Sequence, residues 1–327
     1  MQTVYTDDDL LSEHAFDAPL VVGGVTCHGG FVGGHYVSPR TLRRMAAIEA
    51  WQAGLPAGAL EAILNPIDAR VPPQFPNVEQ TRLLVRHGVT LPLVRILTLT
   101  ARVEAFGGET LRRVQLPDFG KRLRESIDGT ALAHLASLFE AHARDEQGHQ
   151  MMWELARDLA LDHPEIPEDV EPNYRPPAPR LVPEIPPDME SILLRLLGVL
   201  CVEVFAVENF RWARAVLGDA SLFARHADAE HLIACVQQDE APHVGYLATA
   251  LAELRARTFI GEDGAFLPAQ PIVDRALSMV ILFQAGPRQQ AACTARMQVV
   301  EHCLAEHPQR DSILGEFAAL GPVPSVA

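Results

Sequence analysis

The sequence contains the pattern Asp-Glu-x-x-His twice, as DEQGH from Asp145 and as DEAPH from Asp239. In a helix, residues three positions apart share one face, so the Glu and the His of each motif can direct a carboxylate and an imidazole to one point. The neighbouring positions on these faces are mostly apolar, and an ionised Glu among apolar residues is costly unless a cation compensates it. The two motifs therefore predict metal ligands, which are Glu146, His149, Glu240 and His243.

Each motif is preceded by a similar segment with two glutamates, VEAFGGE in the first half of the chain and VEVFAVE in the second. Helical phase places Glu104 on an apolar face, whereas Glu109 falls among arginines on the opposite face, where it can pair with Arg113. By the repeat, Glu203 is favoured over Glu208. The helix that contains both is apolar on nearly all sides, so its hydrophobic periodicity does not distinguish them clearly. Glu104 and Glu203 complete six predicted ligands, with Glu109 and Glu208 as the alternatives.

Three polar side chains near these ligands have predicted roles. Asp145 and Asp239 directly precede the ligand glutamates, and we expect each to accept a hydrogen bond from a ligand histidine, that of the opposite half. His142 lies one turn before Glu146 and is an additional candidate ligand. Its counterpart in the repeat is Val236, which favours a pocket-lining or hydrogen-bonding role instead. The nearby aromatic residues are expected to pack in the core, namely Phe106, Trp153, Phe205, Trp212 and Tyr246.

The donor types indicate which metal the site would bind. Four carboxylates and two imidazoles suit two iron ions or, alternatively, manganese, because oxygen-rich ligation disfavours copper. The absence of thiolate ligands disfavours structural zinc. The five cysteines are scattered and form no C-x-x-C pair, which predicts reduced thiols instead of a disulfide framework.

Four long helical patterns must position these residues, and they fall into two pairs. The first pattern should be interrupted near Pro92, and Pro242 should kink the fourth beside Glu240. Between the pairs, residues 163–188 hold nine of the 25 prolines, which predicts an extended crossover. The sequence thus predicts an all-α fold with a four-helix bundle built from two helical hairpins. The four patterns cover residues 78–115, 130–161, 189–217 and 228–257.

The bundle, with its crossover, is expected over residues 78–257, between two flanking regions. Residues 1–77 should form an irregular, glycine-punctuated segment followed by short helices at 38–53 and 57–65. Residues 258–327 should form accessory helices near 271–284 and 287–306 and a loose tail.

A Glu on each of two helices, with Glu-x-x-His on each of two others, resembles the ferritin-like di-iron carboxylate proteins across residues 90–257. The stretch EVFA at 203–206, together with the D-E-x-x-H motif, is similar to aldehyde-deformylating oxygenases, and the layout is similar to arylamine N-oxygenases. The resemblance implies a ferritin-like bundle with two iron ions that activates O2 to oxidise a small organic substrate, as a hydroxylase or N-oxygenase. It also implies an external electron donor such as a ferredoxin or a flavin reductase.

Two other classes remain open at this point. One is a ferroxidase, peroxidase or manganese catalase of the same ferritin-like class, although the lack of rubredoxin-type cysteine pairs argues against a rubrerythrin-like peroxidase. The other is a non-catalytic helical binding protein, which a protein purified without iron or manganese would favour.

Charge and hydropathy exclude several kinds of partner. The formal net charge of −15 and the pI near 5.3 argue against nucleic acid or an anionic membrane. The longest apolar stretch, 192–207, is interrupted by Arg195 and Glu203 and is too short for a membrane span. The first twenty residues lack the features of a signal peptide. We therefore expect a cytoplasmic protein, with a homodimer allowed.

Overall fold

The computed structural model describes residues 5–11, 19–22, 24–32, 35–172 and 180–323, and these are predominantly helical with a few short strands. The all-α prediction is confirmed at this level. The strands are β1 (Pro19–Val22), β2 (Val25–Val32), β3 (His35–Val37), β4 (Thr258–Ile260) and β5 (Phe266–Pro268). The helices are α1 (Asp7–Leu11), α2 (Pro39–Gln52), α3 (Ala59–Asp68), α4 (Val78–Arg86), α5 (Leu91–Arg112), α6 (Phe119–Arg122), α7 (Leu135–Leu161), α8 (Pro187–Leu217), α9 (His226–Asp239), α10 (Ala241–Arg255), α11 (Ala269–Phe283), α12 (Gln289–Leu304) and α13 (Arg310–Ala319).

The helices that carry the repeated motifs pack against one another. α5 packs extensively along α7, α7 packs against α9, and α8 packs against both α9 and α10. Gly108 makes the contact between α5 and α7 close, because a Cβ there would lie 3.0 Å from the carbonyl oxygen of Ala143. The predicted ranges agree with these helices, and the first pattern is interrupted near Pro92 as predicted. Pro92 lies in the first turn of α5, where its missing N–H is tolerated.

The fourth long pattern is interrupted at Glu240, which separates α9 from α10. Pro242 has no N–H to donate to the carbonyl of Gln238, so the hydrogen-bond ladder cannot continue through this point. The break predicted beside Glu240 is therefore present, and it falls at the Glu of the second motif.

The polar motifs lie between two apolar clusters. One cluster includes Leu111, Phe139, Leu200 and Tyr246, and the other includes Leu97, Trp153, Phe210 and Val236. Each of α5, α7, α8 and the α9–α10 pair contributes to both clusters. The predicted ligands lie where each helix passes from one cluster to the other, so they form a polar layer inside an apolar interior.

The N-terminal region contains a three-stranded antiparallel sheet in the order β1-β2-β3, and the prediction of an irregular segment was wrong. Gly29 and Gly30 lie within β2, where Gly29 packs so closely on Val37 and Ser38 that a Cβ would clash. β2 contacts α2 and α7, and β3 contacts α9. Ser38 caps the N-terminus of α2 as predicted, and its side chain accepts a hydrogen bond from the N–H of Thr41.

The C-terminal helices pack on the outside of the motif-bearing helices. α11 contacts α8 and α10, and α12 contacts α5. The tail predicted to be loose contains α13, which packs on α4 and buries Ile313 and Phe317. Of the predicted crossover, residues 173–179 lie outside the described residues, and the described remainder before α8 is not helical. None of the described helices has the length and hydropathy that crossing a bilayer requires.

Candidate metal centre

Seven side chains from the motif-bearing helices converge in the polar layer. Among the described residues, they form two overlapping sets of ligand-type atoms, and within each set all the atoms lie within 4.8 Å of one another. The sets share Glu146. The first set is His142, Glu146, Glu203 and His243, and the second is Glu104, Glu146, His149 and Glu240.

The first set is built around His142. Its Nε2 lies 2.9 Å from Glu146 Oε1 and 3.3 Å from Glu203 Oε1. The Nδ1 of His243 lies 3.5 Å from the same Glu146 oxygen, and the two imidazole rings stack with their centroids 3.6 Å apart. The other ring nitrogen of His142 is hydrogen-bonded to the hydroxyl of Tyr246 at 2.9 Å. All of these side chains are buried.

The second set is joined to the first through Glu240. One oxygen of Glu240 lies 3.1 Å from Nδ1 of His149, and the other lies 2.6 Å from Nδ1 of His243. The Glu104 carboxylate accepts a hydrogen bond of 3.0 Å from the indole N–H of Trp153. Glu104 is half-buried, whereas Glu240 and His149 are buried.

Each motif aspartate faces the histidine of the other motif. Asp145 Oδ2 lies 3.1 Å from His243 Nε2, and Asp239 Oδ2 lies 3.9 Å from His149 Nε2. In both histidines, Nδ1 faces the carboxylates and Nε2 faces an aspartate. The crossed pairing expected from the sequence therefore has a counterpart in the structure, while a role in metal binding stays a prediction.

The alternative glutamates lie outside the cluster. Glu109 is exposed and pairs with Arg113 at 2.8 Å, and Glu208 pairs with Arg211. These are the ion pairs that the sequence indicated. Neither glutamate belongs to the two ligand sets, whereas Glu104 does.

Sequence reasoning missed the residues of α2 that contact the motifs. Arg44 is 1% exposed, and its Nη2 lies 2.5 Å from Asp145 Oδ2. The hydroxyl of Thr41 donates a hydrogen bond of 3.0 Å to Asp239 Oδ1. Neither residue belongs to the repeat, and no local pattern in α2 indicates which distant aspartate it contacts.

The aromatic predictions had mixed outcomes. Trp153 and Trp212 are buried as predicted, and Trp153 in addition reaches Glu104. Tyr246 is buried with its hydroxyl hydrogen-bonded, as expected. Phe205 is only partly buried, and it packs against the core. Phe106 is 38% exposed, so its predicted place in the core was wrong. The repeat identified Phe106 by its spacing, but it did not indicate which face of the helix points into the core.

Burial and neighbouring carboxyl groups raise the pKa of three of the four glutamates. Burial, reinforced by Glu104, raises the pKa of Glu146 well above its ordinary value, and burial together with Glu240 does the same to the pKa of Glu203. Burial also raises the pKa of Glu104. For Glu240, burial acts in the same direction, but His149 and His243 outweigh it and lower the pKa. Without a cation, Glu104, Glu146 and Glu203 thus hold protons more tightly than they would in water.

The three histidines are in different electrostatic surroundings. Burial alone would lower the pKa of His149 and of His243, but Glu240 and the facing aspartates outweigh it and raise both. Burial and the adjacent His243 lower the pKa of His142 well below its ordinary value. His142 is therefore a neutral imidazole, which is the form that binds a metal ion.

The donor set fits a cation. The two sets contain four carboxylates and three imidazoles, and neither contains a cysteine. Such clustered carboxylates repel one another when ionised, and a divalent cation between them removes that repulsion. These buried groups can therefore bind a metal ion.

No known protein family matches the chain, and neither the curated proteins nor the solved structures include a match. The resemblance to ferritin-like di-iron proteins therefore rests on the repeated motifs and on the geometry of these side chains.

Proposed function

We propose that the chain binds two iron ions and uses them to activate O2 for the oxidation of a small organic substrate. The observation that carries this proposal is the convergence of four carboxylates and three imidazoles in an otherwise apolar interior. A purely structural polar cluster would not need so many carboxyl groups in mutual contact, because each additional one raises the cost of burial.

We further propose that α5, α7, α8 and the α9–α10 pair form a ferritin-like four-helix bundle. Each of these helices contributes at least one residue to the two ligand sets, and α7 contributes His142, Glu146 and His149. The helices also pack in a manner consistent with two hairpins, α5 with α7 and α8 with α9 and α10. This is the arrangement of the di-iron carboxylate proteins, in which facing helices supply all the ligands.

Two glutamates are suited to bridge the two ions. Glu146 belongs to both ligand sets, and the two oxygens of Glu240 face different histidines, His149 and His243. A shared carboxylate places two cations close together, as in other dinuclear sites. Glu146 and Glu240 would therefore help to hold both ions, and each of the remaining groups of the two sets would hold one of them.

Oxygen-rich ligation with imidazole suits iron, with manganese as the alternative, and a bound iron pair would supply the redox equivalents and the binding positions for O2. The chain's own residues would hold the centre in place. Asp145 would keep the Nε2 proton of His243, so that Nδ1 presents its lone pair to the ion. Trp153 would fix one oxygen of Glu104. The two apolar clusters would exclude water on either side. Electrons would come from an external donor such as a ferredoxin or a flavin reductase.

Metal analysis tests the proposal first. Protein loaded anaerobically with Fe(II) and freed of excess ion should retain two iron ions per chain, and Glu146→Ala and His243→Ala should lose them while circular dichroism shows unchanged helicity. The loaded wild type should then consume O2 in the presence of a reductant, and organic compounds that are substrates should increase that consumption. Unchanged iron content in both variants would overturn the proposal.

A ferroxidase, peroxidase or manganese catalase is the second candidate. It is favoured by the half-buried position of Glu104, since small solutes such as peroxide can approach a partly exposed ligand more readily than a bulky organic molecule can. Rapid disproportionation of peroxide, or continued oxidation of added Fe(II), would favour this candidate when no organic compound increases O2 consumption. Wild-type protein that binds neither iron nor manganese would favour a non-catalytic helical binding protein.

A further inference from the structure

A buried network joins α2 to both motifs. Thr41 and Arg44 are three residues apart and therefore lie on one face of α2. The guanidinium of Arg44 pairs with Asp145 Oδ2 at 2.5 Å, and the hydroxyl of Thr41 donates to Asp239 Oδ1 over 3.0 Å. One face of a helix outside the repeated hairpins thus contacts both motif aspartates.

The network continues from the aspartates to the histidines. The Asp145 oxygen that pairs with Arg44 also lies 3.1 Å from His243 Nε2. The second oxygen of Asp239 lies 3.9 Å from His149 Nε2. Arg44 is therefore connected to His243 through Asp145 within hydrogen-bond distance. Thr41 is hydrogen-bonded to an aspartate that lies beside His149 at a longer distance.

We propose that α2 orients the two ligand histidines, with Arg44 and Thr41 as positioning residues that act through Asp145 and Asp239. An imidazole held at Nε2 by a fixed carboxylate keeps its proton there and presents the Nδ1 lone pair in one direction. The carboxylate can serve this purpose only if its own rotation is restricted. Arg44 restricts Asp145 with a buried ion pair, and its charge helps to balance that of the buried carboxylate.

The two arms of the network differ in chemistry, and their effects should differ as well. The arm from Arg44 contains a charged pair that is shielded from solvent. The arm from Thr41 contains a neutral hydroxyl, whose removal leaves Asp239 with fewer donors but creates no new unpaired charge. The orientation of His243 should therefore depend more strongly on Arg44 than the orientation of His149 depends on Thr41.

The test of metal affinity rests on the proposed metal binding. Anaerobic Co(II) serves as the probe, and Arg43→Met serves as the matched control, because Arg43 is adjacent to Arg44, is 41% exposed and pairs with Asp9. Arg44→Met should weaken the binding of one of the two Co(II) ions about 10-fold to 100-fold, the range typical of outer-shell changes. Arg43→Met should leave both affinities unchanged. Equal affinities in wild type and Arg44→Met would overturn the proposal.

A double-variant comparison separates positioning from a general effect on the fold. If Arg44 acts through Asp145, adding Arg44→Met to Asp145→Asn should cause no further loss of Co(II) affinity. The double variant also leaves no unpaired charge in the interior, so it can be studied even if Arg44→Met alone does not fold. Multiplicative losses in the double variant would contradict action through Asp145.

A measurement on metal-free protein separates a failure of this positioning role from a failure of the proposed function. Crystal structures of metal-free wild type and Arg44→Met should show Asp145 and the His243 ring displaced in the variant. If wild type binds no Co(II) but the His243 ring moves, the proposed function fails and the positioning role stands. If Asp145 and His243 superpose in the two structures, the positioning role is overturned, whether or not Co(II) binds.

Discussion

His142 Nε2 lies 2.9 Å from Glu146 Oε1, inside the buried carboxylate cluster. The sequence favoured a pocket-lining or hydrogen-bonding role for His142, because its counterpart in the repeat is an apolar residue. Its Nδ1 is hydrogen-bonded to Tyr246, which leaves Nε2 directed at Glu146 and Glu203. The two halves of the centre are therefore unequal, since only one half contains this additional imidazole.

The first prediction concerns this histidine. His142→Gln should weaken the binding of one of two Mn(II) ions at least about tenfold, because loss of a direct ligand costs no less than loss of an outer-shell partner. Isothermal titration with Mn(II) measures both affinities. His302→Gln, at an exposed position of α12, is the control and should bind like wild type. Two unchanged affinities in His142→Gln would exclude His142 as a ligand.

The second prediction tests which glutamates are ligands. Glu104→Gln and Glu203→Gln remove a carboxylate from the cluster with little change of shape, so purified protein should contain at most half of the wild-type metal. Glu109→Gln and Glu208→Gln each remove only a surface ion pair, and the metal content should stay at the wild-type level. Elemental analysis of the four variants gives the answer. A loss in Glu109→Gln equal to that in Glu104→Gln would contradict the assignment.

The third prediction uses two adjacent glycines of α5. A Cβ at Gly108 would lie 3.0 Å from the Ala143 carbonyl oxygen and 3.1 Å from Glu146 Cβ, so Gly108→Ala must separate α5 from α7. We expect a loss of about 1–3 kcal/mol in the free energy of unfolding, together with weaker metal binding. A Cβ at Gly107 would meet only Glu146 Oε2, at an ordinary 3.8 Å.

Gly107→Ala is therefore the matched control. Alanine is the better helix former, so this variant should be as stable as wild type or more stable. Urea denaturation of metal-free protein measures the free energy of unfolding of both alanine variants. If the two alanine variants were equally stable, the close approach of α5 and α7 at Gly108 would not matter.

The fourth prediction concerns the pH dependence of metal binding. The raised pKa values of Glu146 and Glu203 mean that these carboxyl groups hold protons at a pH where exposed glutamates have lost them. A cation binds the deprotonated form, so binding must release those protons. Metal affinity should therefore increase as the pH rises from mildly acidic to mildly alkaline. Calorimetric titrations in buffers of different ionisation enthalpy measure the protons released. Binding without proton release would contradict the protonated state of the cluster.

The residues that the sequence predicted well are those governed by local rules. Glu146 and His149 face one point because they are three positions apart in a helix, and the ion pair between Glu109 and Arg113 follows from the same periodicity. The interruption beside Glu240 follows from the missing N–H of Pro242. None of these predictions required knowledge of which helices are neighbours.

The residues that the sequence did not predict depend on long-range packing. Thr41 contacts Asp239 across 198 positions of the chain, and nothing in α2 specifies that partner. The glycines around Gly29 predict an irregular segment where the structure has a strand, because glycine occurs both in irregular segments and at sites of close backbone approach. Half of the residues of the short helix α13 are apolar, but they show no clear amphipathic pattern, and Ile313 and Phe317 become informative only once α4 is in place.

The most direct test of the proposed dinuclear centre is anomalous diffraction at the iron edge from crystals of protein loaded anaerobically with Fe(II). We expect two peaks about 3.5–4 Å apart, the separation typical of two-metal sites, both in contact with Glu146. The absence of any peak among the two ligand sets, or iron bound only elsewhere on the chain, would contradict this expectation.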